Sequence, residues 1–201
     1  EVDALGIDIG GSGIKGAVVD LGTGELASKR HRIKTPKESS PGAVTEVLRE
    51  IVDHHAWSGP IGITFPGVVI DGVVWTAANV DDRWIGYDAE GILAEALGER
   101  VVGLNDADAA GLAEARYGAA RDRDGLCIVL TFGTGIGSAM LLDGTLVPNS
   151  ELGHLEFKGM AAEEYAAGRL VKRDHMDIDW WAGRVNEVLH HIERILTPKT
   201  I

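Results

Sequence analysis

The chain has 201 residues, 45% of them hydrophobic and 25% charged, enough for a sizeable core in one large domain or two small lobes. A net charge of −12 argues against nonspecific binding to nucleic acid or to an anionic membrane, but leaves room for a local phosphate site built from backbone amides. No apolar run approaches the about 20 residues that span a bilayer, and the single cysteine, Cys127 in "LCIVL", can form no internal disulfide, which points to a reducing cytoplasm.

In chain order, "ALGIDIGG" reads as a buried strand that breaks at a glycine pair, with no room before it for a signal peptide. "IKGAVVD" is a second strand, "LGTGEL" a hairpin turn, and "ASKRHRIKTP" a third, more polar strand ended by Pro36. Val44, Val47, Leu48, Ile51 and Val52 then fall at helical spacing. "PIGITFPG" is a short buried strand, and "VVIDGVVWTAANV" a hairpin turned at Asp71-Gly72. "DAEGILAEALG" predicts a helix with Asp88 as N-cap and Gly98 as C-cap. "RVVGLND" is a strand, "ADAAGLAEARYG" a helix, and "GLCIVLTFG" with "GSAMLLDGTLVP" a strand pair around a glycine loop. The remainder is helical, and an amphipathic helix stops at Thr197-Pro198 just before the sequence ends, which reads as a fragment. Hairpin strands followed by strands alternating with helices indicate an α/β chain with a mixed sheet. "IDIGGSGIKGAVVDLGTGEL" and "LTFGTGIGSAMLLDGTLV" echo one another, and two such units would face each other across a cleft.

Both echoes carry a glycine turn. In "DIGGSGIK", Asp8 closes a strand and Gly10, Gly11, Ser12 and Gly13 lead to Lys15. Such a turn can aim amides at phosphate oxygens, with Ser12 adding a hydroxyl and Asp8 placed to hold Mg²⁺ through water; a tight hairpin with no ligand is the plain alternative. "TFGTGIG" supplies the second turn, with Gly133 and Gly135 and the hydroxyls of Thr131 and Thr134. "GLNDADAAGLAEA" sets Asn105 and Asp106 at a strand–helix junction, where Asp106 suits either a general base or a simple N-cap, and Asp108 is a weaker candidate. "NSELGHLEF" offers Glu151, His154 and Glu156 for a metal or a polyol, and "AANVDDRW" puts Asn79 near Trp75 and Trp84, which suits a sugar unless both rings are core. Lys29, Arg30, Arg32 and Lys34 form the single basic cluster, either a solvated strand face or a rim for a polyanion.

Together "GIDIGGSGIKG", "TFPGVV", "TAANVD", "LNDADAAGLAEARYGA", "LTFGTGIGSA" and "LVPNSELGHLE" resemble, in order and along essentially the whole chain, the ROK sugar-kinase family, and within it the polyphosphate/ATP glucokinases. The resemblance implies an actin-like ATPase (ribonuclease H-like) two-lobed fold, with a small lobe over 1–104 and a large lobe over 105–201 that is incomplete at its end. It implies phosphoryl transfer from polyphosphate or ATP to the 6-hydroxyl of glucose with Mg²⁺, Asp106 as base, and Asn79, Asn105, Glu151, His154 and Glu163 as sugar contacts. "LEFKGMAAEE" lacks the cysteine cluster of zinc-binding members, so no structural zinc is expected. A homodimer is implied, mannose is left open beside glucose, and strict ATP dependence or a non-catalytic sugar sensor stand as alternatives.

Overall fold

The computed structural model describes residues 3–201. Glu1 and Val2, at the head of the first predicted strand, lie outside the described residues. The chain divides into two compact units, one ending at Asp106 and the other beginning at Ala107.

The first unit is built on a five-stranded sheet ordered β3-β2-β1-β4-β7, formed by β1 (Asp3–Ile9), β2 (Ile14–Asp20), β3 (His31–Ile33), β4 (Ile61–Phe65) and β7 (Val101–Asn105). β1, β2 and β3 pair antiparallel, whereas β4 runs parallel to both β1 and β7, so the sheet is mixed. Alternate residues therefore face opposite sides. Leu5, Ile7, Ile9, Ile14, Ile61, Ile63 and Phe65 turn to one side and are sealed by α1 (Pro41–His54) and α2 (Ala89–Leu97). α1 starts where Ser40 caps the Ala43 amide and Pro41 enters with no amide to satisfy, and it buries Val44, Val47, Leu48, Ile51 and Val52 along one stripe. Asp88 caps α2 through the Gly91 amide and Gly98 ends it in the left-handed region at φ 71°, as the sequence predicts. β5 (Val69–Ile70) and β6 (Val73–Val74) form the small hairpin, with Asp71 and Gly72 both at positive φ. Trp84 is core: it is fully buried against Phe65 and Tyr87 and donates its indole N–H to the Ser39 carbonyl at 2.9 Å. Trp75 is 60% exposed.

The second unit repeats the opening theme. β8 (Leu126–Phe132), β9 (Ile136–Leu142) and β10 (Thr145–Val147) form an antiparallel meander ordered β10-β9-β8. α3 (Asp106–Tyr117) packs Leu112 and Ala115 on the side of that sheet carrying Cys127, Val129 and Leu141. On the other side, Ile128 and Ile136 meet α4 (Ala162–Ala166) and α6 (Ile178–Leu196) through Ala162, Ala166, Val188 and Ile192. β11 (Glu156–Phe157) and β12 (Met160–Ala161) form a short hairpin before α4, and α5 (Arg169–Arg173) follows it. The helical stretch predicted over "AAEEYAAGRLVKR" is thus two short helices, parted at Ala167 and Gly168. After α6 the backbone becomes extended, and Thr200 bridges Cys127 in parallel on the outer edge of β8, with the Ile128 amide donating to the Thr200 carbonyl at 3.0 Å. Burial pushes the Cys127 thiol pKa up. Among the described residues, no helix is long and apolar enough to cross a membrane.

Candidate active site

The first glycine turn, residues 10–13, joins β1 to β2, and the Gly10 amide closes it by donating to the Gly13 carbonyl at 3.2 Å. The sheet register lays four polar side chains in one row beside it, on the face away from α1: Arg32 opposite Lys15, Lys15 opposite Asp8, and Asp8 beside Thr64. Lys15 Nζ lies 3.3 Å from Asp8 Oδ2, and Thr64 donates its hydroxyl to Asp8 Oδ1 at 2.9 Å. With 39% of the lysine side chain and 46% of the aspartate side chain exposed, the pair is solvated and contributes little to stability; its value is in fixing where the two charges stand. Asp8 is the predicted metal residue. Both of its oxygens already have protein partners, and among the described residues no three acids, histidines or cysteines cluster as a metal cage. One carboxylate suits magnesium that keeps its waters and takes its remaining ligands from donor phosphates.

The turn also touches one predicted sugar residue of the same unit, Asn79. Gly11 lies against Asn79, so that a Cβ added there would come within 2.9 Å of the Asn79 Cβ and carbonyl oxygen. Asn79 itself stands at φ 61°, a conformation asparagine tolerates better than most residues. Asn105, at the end of β7, is buried and donates Nδ2 to the Gly67 carbonyl at 3.0 Å, which holds the turn after β4. Asp106 follows as the first residue of α3 and is exposed, a carboxylate presented at a helix start. The buried Asp108 does something different: its Oδ2 accepts the Asn149 amide at 2.7 Å, which anchors the loop that leads to Glu151.

In the second unit, residues 133–135 form the turn between β8 and β9, closed by the Gly133 amide donating to the Gly135 carbonyl at 3.0 Å. The Thr131 hydroxyl lies over Gly137, its partner across the strand pair; Thr134 is exposed at the tip. Residues 150–154 are bolted to β9 beside the turn: Ser138 donates its hydroxyl to the Ser150 carbonyl at 2.7 Å and accepts the Leu152 amide at 2.9 Å, while Gly153 packs on the Ile136 carbonyl. This fixes the segment that carries Glu151 and His154, both exposed, along β9. Glu163, predicted as a sugar contact, lies at the turn too: its Oε2 accepts the Ile136 amide at 3.3 Å and sits against Gly135.

Sequence reasoning did not single out Thr64, Thr35 or Arg169. Thr64 is found only through the parallel pairing of β4 with β1. Thr35 donates its hydroxyl to the Gly10 carbonyl, and Arg169 donates to the Thr134 carbonyl. Of the basic cluster, all four residues are exposed, and Arg32 reaches back to the first turn, donating Nη2 to the Ser12 carbonyl at 3.0 Å.

A five-stranded mixed sheet with a glycine turn between its first two strands, followed by a second strand–turn–strand copy, is the ground plan of a phosphate-handling actin-like ATPase fold. The chain belongs to the ROK family, whose model matches residues 4–168. It is 52% identical over 195 residues to a polyphosphate glucokinase of Mycobacterium tuberculosis (strain CDC 1551 / Oshkosh), covering 96% of this chain and 74% of that protein. Among solved structures it resembles the inorganic polyphosphate/ATP-glucomannokinase of Arthrobacter sp. strain KM, with a TM-score of 0.92, 44% identity, and coverage of 99% of this chain and 81% of that one. It also resembles a ROK family glucokinase from Streptomyces griseus in complex with glucose and AMPPNP, with a TM-score of 0.74, 28% identity, and coverage of 86% and 59%.

Proposed function

We propose that the chain is a glucokinase that transfers the terminal phosphoryl group of inorganic polyphosphate, or of ATP, to the 6-hydroxyl of glucose. The observation that carries this reading is the likeness to the mycobacterial polyphosphate glucokinases along nearly the whole chain. The tips of both glycine turns (Gly11 and Ser12, Gly133 and Thr134) and Asp106 are exposed, and Asp8 and Lys15, near the ends of β1 and β2, are partly exposed.

In this reading Asp106 accepts the proton of the 6-hydroxyl as that oxygen bonds to the terminal phosphorus. The bridging P–O bond breaks, and a shortened polyphosphate or ADP leaves. Little covalent work falls to the protein, so positioning and charge neutralisation dominate. The amides of Gly11 and Gly13 and of Thr134 and Gly135, in turns that the Gly10 and Gly133 amides close, hold donor oxygens together with the hydroxyls of Ser12, Thr131 and Thr134, and Lys15 offsets their charge. Asp8 would hold magnesium through water, and the bound ion supplies further neutralisation of the donor. Asn79, Asn105, Glu151, His154 and Glu163 hold the sugar hydroxyls, and Glu163, being on the Ile136 amide, ties the sugar side of the second unit to its phosphate turn. The single buried cysteine suits a cytoplasmic enzyme, and the family resemblance suggests a homodimer.

A coupled assay of glucose 6-phosphate formation with polyphosphate and with ATP tests the function. Turnover with polyphosphate supports the reading; product with neither donor overturns it. ATP as sole donor is the second reading, favoured by the likeness to the Streptomyces griseus enzyme, and turnover with ATP alone would select it.

A further inference from the structure

A glycine turn binds phosphate only if its peptides face the right way, because each peptide has an N–H on one side and a C=O on the other. In a trans peptide these two groups point in opposite directions, and the described residues contain no cis peptide. Glycines leave the flip between the two orientations cheap. Something must hold each peptide with its carbonyl away from the ligand.

In the first unit the Thr35 hydroxyl donates to the Gly10 carbonyl, which directs the Gly11 N–H the opposite way. Arg32 donates to the Ser12 carbonyl at 3.0 Å, which does the same for the Gly13 N–H. The Arg32 guanidinium also lies against Gly13, where an added Cβ would fall 2.6 Å from Nε and Nη2. In the second unit the Arg169 amide donates to the Gly133 carbonyl at 2.9 Å, and the Arg169 guanidinium donates to the Thr134 carbonyl. These bonds direct the Thr134 and Gly135 N–H groups away from the arginine. "GSGI" and "GTGI" align residue for residue, so the two arginines grip equivalent carbonyls, Ser12 and Thr134, in the two copies of the motif. Among the described residues the amides of Gly11, Gly13, Thr134 and Gly135 donate to no protein group. The next amide along, Ile136, already holds an oxyanion, the Glu163 carboxylate.

We propose that Arg32, Thr35 and Arg169 are positioning residues that lock the peptides of the two glycine turns, carbonyls toward the clamps and amides toward the donor phosphates. The inference rests on the kinase reading for the identity of the anion, an oligophosphate. It differs from simple attraction of a polyanion by positive charge, because the clamp needs a hydrogen-bond donor rather than a cation, as the neutral Thr35 hydroxyl illustrates.

That difference sets the experiment. Arg32→Met removes both donor and charge, whereas Arg32→Gln keeps an N–H donor and removes the charge. Polyphosphate and ATP binding are measured by calorimetry on each folded variant, alongside donor KM, glucose KM and kcat. Arg32→Met is expected to weaken both donors about tenfold with glucose KM within about twofold, and Arg32→Gln to recover most of that loss. Arg169→Met and Arg169→Gln are the independent pair for the second turn. Equal loss in the Gln and Met variants, suppressed by salt, would overturn the clamp in favour of charge attraction. Donor affinity unchanged in both Met variants, or wild-type protein that binds neither donor, would overturn it outright. Donor binding without glucose phosphorylation would sink the kinase reading and leave the clamp to be judged by the binding data.

Discussion

Gly11→Ala separates the assembly of the site from the stability of the fold. Gly11 is not among the residues at positive φ, so alanine fits its backbone. The new methyl would nevertheless sit 2.9 Å from the Cβ and the carbonyl oxygen of Asn79, where ordinary contact begins at 3.4 Å. Relief requires the turn and Asn79 to part by about 0.5 Å. Overpacking costs about 1–3 kcal/mol in a tight core and less at an exposed turn, while replacing glycine stabilises by about 0.4–1 kcal/mol through the unfolded chain. The two largely cancel, and the expected change in unfolding free energy is within about 1 kcal/mol. Function should suffer more. Misplacement by about 1 Å can cost about 100-fold in rate, so half of that suggests about tenfold. Because the displaced groups lie on a proposed phosphate turn and a proposed sugar residue, glucose and donor KM are expected to rise together. Urea unfolding and steady-state kinetics with each substrate varied provide the assay. A stably folded variant with both KM values unchanged would refute the claim that contact between Gly11 and Asn79 couples the two halves of the site.

Other outcomes follow from the same contacts. Asp106→Asn should abolish turnover while glucose affinity, read by titration, stays within about tenfold (about 1.4 kcal/mol); retained kcat would reject the general-base assignment. Truncating Trp84 to Ala empties a fully buried ring site and should cost about 3–5 kcal/mol in chemical denaturation, and a loss under about 1 kcal/mol would deny its place in the core. The forked Arg83 guanidinium, bonded to Asp81 at 2.9 and 2.8 Å, and after it the Arg83 backbone amide lower the Asp81 pKa from 3.8 to about 2. Since the folded value lies below the unfolded one, this contribution is present above the unfolded pKa and is lost as pH falls toward about 2. Carboxyl NMR titration should show that midpoint in the wild type and a higher one in Arg83→Ala, short of the ordinary value because the residue 83 amide still donates to Asp81; identical midpoints would contradict it. The Cys127 thiol is buried with its pKa raised, so a thiol reagent should modify it at a rate limited by unfolding, and rapid modification of the native protein at neutral pH would refute that burial.

Much of the architecture was legible because its causes are local. Strand alternation in "ALGIDI", positive φ at Asp71-Gly72, the Asp88 cap and the Gly98 stop each depend on a few neighbouring residues. The order of the motifs also sufficed to indicate the ROK family, and the two glycine turns were found where the repeated pattern put them. Tertiary structure decided what no short window contains. Trp84 went to the core and Trp75 to the surface, although both lie in "WTAANVDDRW", because only Trp84 falls where Phe65 and Tyr87 pack against its ring. The break after "AAEEYA" falls where Gly168 lies close to the Phe132 and Gly133 carbonyls and Arg169 reaches the Thr134 carbonyl, 35 residues away in sequence. Asp108 anchors the Asn149 loop, and Arg32 leaves its basic cluster to grip Ser12. Hydrogen-bond partners of long side chains are chosen by the three-dimensional neighbourhood, whereas composition and spacing set only which residues are available to be chosen.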